Sequence, residues 1–144
     1  MDSNKVVIFT DGACSGNPGN GGWGAYIEID EKKIELSGSE NNTTNNRMEL
    51  KAVISALAYL RKKRDIILFT DSKYVMKGIQ EWIQKWKTNN WKTSQKKTVK
   101  NKDLWVELDS LTNKHSIQWE WVKGHSGNYG NEIADRLAVT KIKK

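Results

Sequence analysis

The sequence predicts an α/β fold: a five-stranded mixed sheet, with three antiparallel strands and then two parallel ones, flanked by helices. Three observations predict it. Residues 6–40 hold three apolar or alternating runs in succession. At residue 45 the apolar spacing changes from two to four. From there to the end, helix-like and strand-like stretches take turns.

The elements follow in order. VVIFTD, residues 6–11, is β-branched and aromatic and uncharged up to its last residue, so it reads as a buried strand. A Gly-rich turn follows and contains the only proline, Pro18. GGWGAYIEIDE, residues 21–31, alternates apolar and polar positions and reads as a second strand. KKIELSGSE, residues 32–40, alternates again as a third. The short gap at Asp30 and Glu31 suggests a hairpin, so these strands run antiparallel. Over residues 45–60, Met48, Ala52, Ala56 and Leu60 share one helical face, with Asn45 or Asn46 as the cap. The basic turn RKKRD leads into a strand at 66–70. A helix between strands predicts a crossover and a parallel pairing. Helices near 74–87 and 103–111, a strand at 116–122 and a helix at 131–140 complete the chain. With no linker and no low-complexity stretch, residues 1–144 read as a single domain.

Composition narrows the function. The formal net charge is +7, from 24 Lys plus Arg against 17 Asp plus Glu, which points to a polyanionic partner. One cysteine, Cys14, excludes an intramolecular disulfide, and two histidines argue against a Cys/His zinc site. The opening MDSNKVVIF lacks the pattern of a secretory signal, and no stretch is apolar enough for a membrane span. A cytoplasmic protein is expected, and the Asn-x-Thr matches at Asn41 and Asn42 read as chance. Gly19, Gly21 and Gly24 fit G-x-G-x-x-G. That fingerprint must open a helix, and a strand pattern follows here, so no nucleotide cofactor is expected.

The apolar runs VVIFTDG and IILFTDS both end on a carboxylate, at Asp11 and Asp71. Ligand sites in open α/β sheets gather at the carboxyl ends of strands. Parallel neighbours would lie ~4.8 Å apart. Two ionised carboxylates about 5 Å apart repel by roughly 3 kcal/mol at an effective dielectric near 20, a load normally relieved by a shared proton or a cation. Taken singly, each aspartate could simply start a turn; the repeated phrase favours a site. Glu49, in the first turn of the long helix, either completes a capping box with Asn46 or joins that site. Asp135, in the last helix, either faces solvent or joins it. His125 lies nearby in the glycine-flanked loop VKGHSG. Carboxylate oxygens without Cys or His suit Mg²⁺ or Mn²⁺. The residues alone therefore indicate an acidic metal site on a basic protein.

FTDG at 9–12, TTNNRMEL at 43–50, TDS at 70–72, WVKGHSGNYGNE at 121–132 and ADRLA at 134–138 resemble the type 1 ribonuclease H family, and single-domain bacterial ribonuclease HI most closely. The resemblance runs through essentially the whole chain in order. It implies a ribonuclease H-like fold and an endonuclease that hydrolyses the RNA strand of RNA–DNA hybrids, leaving 5′-phosphate and 3′-hydroxyl ends. The family's four carboxylates fall on Asp11, Glu49, Asp71 and Asp135, implying two bound Mg²⁺ ions with Mn²⁺ as the alternative. His125 matches an auxiliary histidine for proton transfer or product release. A monomer is expected.

Substrate contacts carry over by position. Asn17 and Asn45, with Asn46 beside them, match minor-groove contacts near the RNA 2′-hydroxyls. Thr44 and Asn101 match a pocket for a DNA-strand phosphate. Tyr74 and Trp82 match the lining of the DNA-strand channel. Independently, the stretch 82–102 carries seven lysines and no acid, interleaved with Trp82, Trp86 and Trp91. Such a mixture suits a polynucleotide backbone. It corresponds to the family's basic protrusion, and Lys85, Lys87, Lys92, Lys96 and Lys97 are the expected substrate contacts. Lys73 stands where well-known bacterial members carry glutamine, and Asn42 where some eukaryotic members carry arginine. Integrases and Holliday-junction resolvases share the fold but lack the TTNNRMEL and GHSG wording. A binding module without catalysis would show a replaced carboxylate, and none of the four is replaced.

Overall fold

The computed structural model describes residues 5–122 and 129–142. Its sheet contains β1 (Lys5–Cys14), β2 (Gly19–Ile29), β3 (Lys32–Thr43), β4 (Asp65–Thr70) and β5 (Ser116–Trp121), in the order β3-β2-β1-β4-β5. β1 pairs antiparallel with β2, and β2 with β3; β4 runs parallel to both β1 and β5. This is the expected mixed sheet. The hairpins stack β2 and β3 on one side of β1. The helical crossover carries the chain to its other side.

The helices are α1 (Asn45–Tyr59), α2 (Lys73–Lys77), α3 (Ile83–Thr88), α4 (Lys102–Thr112) and α5 (Tyr129–Ile142). The helix expected over 74–87 is interrupted by a π-turn, Gly78–Trp82, between α2 and α3. The expected face of α1 is buried at Met48, Ala52, Ala56 and Leu60. Its cap is neither Asn45 nor Asn46. Extended Thr44 precedes the first turn, and its Oγ1 accepts the Arg47 N–H at 3.2 Å. Glu49 therefore lies too deep in the helix for the capping-box role.

Alternation along β1 divides the interior. Val6 and Ile8 join Leu57, Leu68 and Trp105 in a core covered by α1 and α4. Phe9 joins Tyr26 and Ala134 on the face covered by α5. Full burial of a side chain such as Leu57 or Leu68 contributes roughly 1.5–3 kcal/mol. The second histidine is structural: buried His115 accepts the Arg64 N–H at Nδ1 over 3.1 Å, joining the approach to β4 with that to β5.

The sheet also extends further than its apolar runs suggest. β1 continues through Gly12 to Cys14, and Asp11 pairs with Gly24 of β2. The Gly-rich segment is thus largely strand. A side chain there would block α5, since a Cβ on Gly24 would stand 2.5 Å from the Leu137 Cβ and 2.6 Å from the Ala134 carbonyl oxygen.

Candidate active site

β1 and β4 stay in parallel register up to Phe9 and Phe69. Two residues further on, each chain carries its aspartate, Asp11 and Asp71. Glu49 arrives from α1 because that helix lies almost against the strand. A Cβ on Gly12 would fall 2.5 Å from the Glu49 backbone nitrogen. Carboxylate oxygens of Asp11, Glu49 and Asp71 consequently lie within 4.8 Å of one another. Asp135, half-buried on α5, hydrogen-bonds through its side chain to Asp11. The structure thus brings together all four acids singled out in the sequence.

This crowding changes their chemistry. Burial, then the charge of Asp71, then the hydrogen bond and charge of Asp135 push Asp11 up to about 8, opposed by the bond from the Gly12 N–H at 2.9 Å. Burial, followed by the charges of Asp11 and Asp71, holds Glu49 well above the ordinary carboxylate range. Glu49 Oε1 is buried without a hydrogen-bond partner among the described residues. An orphaned carboxylate oxygen inside a cluster of oxygen donors fits a hard divalent cation such as Mg²⁺.

A family model for RNase H matches residues 3–143. The chain belongs to the RNase H family. Among curated RNase H relatives, the ribonuclease H of Francisella tularensis subsp. novicida (strain U112) is 62% identical over 139 residues, covering 96% of this chain and 91% of the relative. Among solved structures, LC9-RNase H1, a type 1 RNase H with the type 2 active-site motif, superposes with a TM-score of 0.87 at 31% identity, covering 99% of this chain and 74% of the other. LC11-RNase H1, solved in complex with RNA/DNA hybrid, has a TM-score of 0.72 at 22% identity, covering 95% and 96%; it shares the fold. The RNase H reading and the fold expected from the sequence are both upheld.

Apart from His125, the remaining residues expected from the sequence lie in three regions. Asn17, Asn45 and Asn46 are exposed. The pairing of Gly19 with Thr43 sets the loop carrying Asn17 beside the start of α1, which carries Thr44, Asn45 and Asn46. Asn101 precedes α4, and its Nδ2 donates to the Tyr74 hydroxyl at 3.0 Å. The Trp82 ring lies 5.7 Å from Tyr74. Trp86 packs on Trp105 at 5.4 Å, and Trp91 on Trp86 at 6.4 Å, so these tryptophans fasten the basic segment to the domain. Lys85, Lys92, Lys96 and Lys97 are exposed on it. Lys87 is also exposed, but it pairs with Asp109 of α4 at 3.3 Å. His125 lies outside the described residues.

Sequence reasoning missed Gly12, Arg47 and Asp103. Gly12 was visible only as a turn glycine. The guanidinium of Arg47 meets Asp103 at 2.9 Å across 56 residues, a spacing that carries no local signal. A groove of about 760 Å³, lined by Arg61, Lys62, Arg64 and Lys114 among others, contains none of the four acids.

Proposed function

We propose that residues 1–144 form one catalytic domain that hydrolyses the RNA strand of RNA–DNA hybrids, leaving 5′-phosphate and 3′-hydroxyl ends. The observation that carries this reading is the convergence of Asp11, Glu49 and Asp71 within 4.8 Å, joined by Asp135, in a chain of the RNase H family. Asp11, Glu49, Asp71 and Asp135 would hold two Mg²⁺ ions, with Mn²⁺ as the alternative. When bound, these ions supply an activated water and charge stabilisation for the departing 3′-oxygen.

The chain's own residues do the rest. Buried Asp11 and Glu49 keep a site whose acids take up a proton or cation readily, while half-buried Asp71 and Asp135 leave it open toward substrate. Asn17, Asn45 and Asn46 offer exposed amides around the start of α1, the helix that carries Glu49, suited to RNA 2′-hydroxyls. Thr44 and Asn101 hold a DNA-strand phosphate. Tyr74 and Trp82 form an aromatic wall for the DNA strand. Exposed lysines of 82–102 grip the backbone. His125 assists proton transfer or product release. Support for a hybrid substrate also comes from LC11-RNase H1, which was solved with RNA/DNA hybrid bound. No helix among the described residues is long and apolar enough to cross a membrane. The protein is proposed to act as a cytoplasmic monomer.

The test is digestion of labelled RNA–DNA hybrid, single-stranded RNA and duplex DNA with Mg²⁺, by wild type and by Asp71→Asn. Wild type should cut only the RNA of the hybrid. Asp71→Asn should bind hybrid but lose cleavage by orders of magnitude, because the amide keeps the shape and removes a ligand charge. Equal cutting of single-stranded RNA, or near-native turnover by Asp71→Asn, would refute the reading.

A further inference from the structure

We propose that Arg47 is a positioning residue for the DNA-strand phosphate pocket, acting through Asn101; this rests on the hybrid-cleaving function proposed above. Asn101 stands at the N-cap of α4, where an Asn side chain normally accepts a hydrogen bond from the helix's first turn. It makes no such bond, and its backbone is left-handed at φ 61°. Its amide oxygen instead accepts from Arg47 Nη1 at 3.2 Å. Arginine can only donate, so this contact fixes which way the amide points. The amide nitrogen is thereby aimed at the Tyr74 hydroxyl, 3.0 Å away, which also accepts from Trp105 Nε1 at 3.0 Å. The second Nδ2 hydrogen has no partner among the described residues.

Thr44, the other residue expected at that pocket, is set by the ordinary cap of α1. The Arg47 backbone N–H donates to Thr44 Oγ1 at 3.2 Å, leaving the hydroxyl hydrogen to give away. Each pocket residue thus has an acceptor engaged and a donor left over, Thr44 through the backbone cap and Asn101 through the Arg47 guanidinium, the arrangement an anionic oxygen requires. Arg47 itself adds little charge to the pocket. Its guanidinium forms a fork with Asp103, Nη1 to Oδ1 at 3.1 Å and Nη2 to Oδ2 at 2.9 Å. The planar fork and the amide contact share one group, a geometry that a lysine ammonium cannot reproduce. Arg47 therefore orients the Asn101 donor, and neutral groups recognise the phosphate.

The experiment uses hybrids in which one DNA-strand linkage at a time is an uncharged methylphosphonate. For wild type, one linkage should raise KM by roughly tenfold when neutralised, the size of one lost hydrogen bond to a charged group. Arg47→Lys and Arg47→Gln should raise KM on unmodified hybrid by a similar factor, change kcat less, and no longer respond to that linkage. Arg47→Gln combined with Asn101→Ala should be no worse than Asn101→Ala alone. Asp103→Asn removes the fork from an exposed position, so it carries the test if the Arg47 variants fail to fold. It should weaken the response at the same linkage. The inference is overturned if folded variants keep the wild-type linkage profile, or if no linkage is sensitive in wild type. Failure of wild type to cut hybrid at all would instead overturn the underlying function, and this inference with it.

Discussion

Replacing Asp11 with Asn should stabilise the metal-free protein, and increasingly so as pH rises. Asp11 is only 5% exposed, and its carboxylate lies within 4.8 Å of those of Glu49 and Asp71. One ionised pair at that distance repels by roughly 3.5 kcal/mol at an effective dielectric near 20. Burial first, then Asp71 and Asp135, raise Asp11 from 3.8 to about 8. An acid whose folded value exceeds its unfolded one favours folding below the unfolded value, near pH 4. That advantage is lost as pH climbs through the folded value, near pH 8. At ~1.4 kcal/mol per pH unit the whole interval is on the order of 6 kcal/mol. Glu49 shares the same load, so a single substitution should recover about one pair, ~3–4 kcal/mol at pH 9 and ~1 kcal/mol at pH 5. Urea unfolding with a chelator, followed by circular dichroism at both pH values, measures this. Added Mg²⁺ should narrow the difference at pH 9 by stabilising wild type. If Asp11→Asn is no more stable than wild type at pH 9, or gains as much at pH 5, the carboxylates do not strain one another and the metal-site argument fails.

Gly12→Ala should lower stability by about 1–3 kcal/mol, the usual range for overpacking, and reduce cleavage through displacement of Glu49. Denaturant unfolding and Mg²⁺-supported cleavage check the two effects. Replacing Lys85, Lys92, Lys96 and Lys97 with glutamine should raise KM and leave saturated turnover largely intact. The slope of log affinity against log salt should fall by up to ~0.9 per lost phosphate contact. Lys87→Gln should do less, because its partner Asp109 already holds it. Hybrid binding measured across a salt series decides both, and an unchanged slope would make the segment a solvated surface. Trp82→Ala should weaken binding roughly 10-fold through a lost stacking platform while hardly altering the salt slope, measured in the same series.

Local order was legible because it is set by neighbours in the chain. β-branched runs marked β1 and β4, a period of four marked α1, and the two acids ending matching runs pointed to part of the acidic cluster before any fold was known. The lysine-rich segment was equally plain, since charge and aromatic content are visible without coordinates. Other features depended on approach between distant residues. The same Glu49 suited a helix cap or a place among the acids; the Thr44 cap excludes the first, and the close approach at Gly12 sets it beside Asp11. The π-turn at Gly78–Trp82 is invisible in a period-of-four pattern, which continues smoothly across it. Asn101 meets Arg47 across 54 residues, and Asp103 meets it across 56. No spacing rule encodes such contacts. Sequence periodicity specifies which face of an element is apolar, whereas the partner of a polar side chain is chosen only when packing of those faces brings two surfaces together.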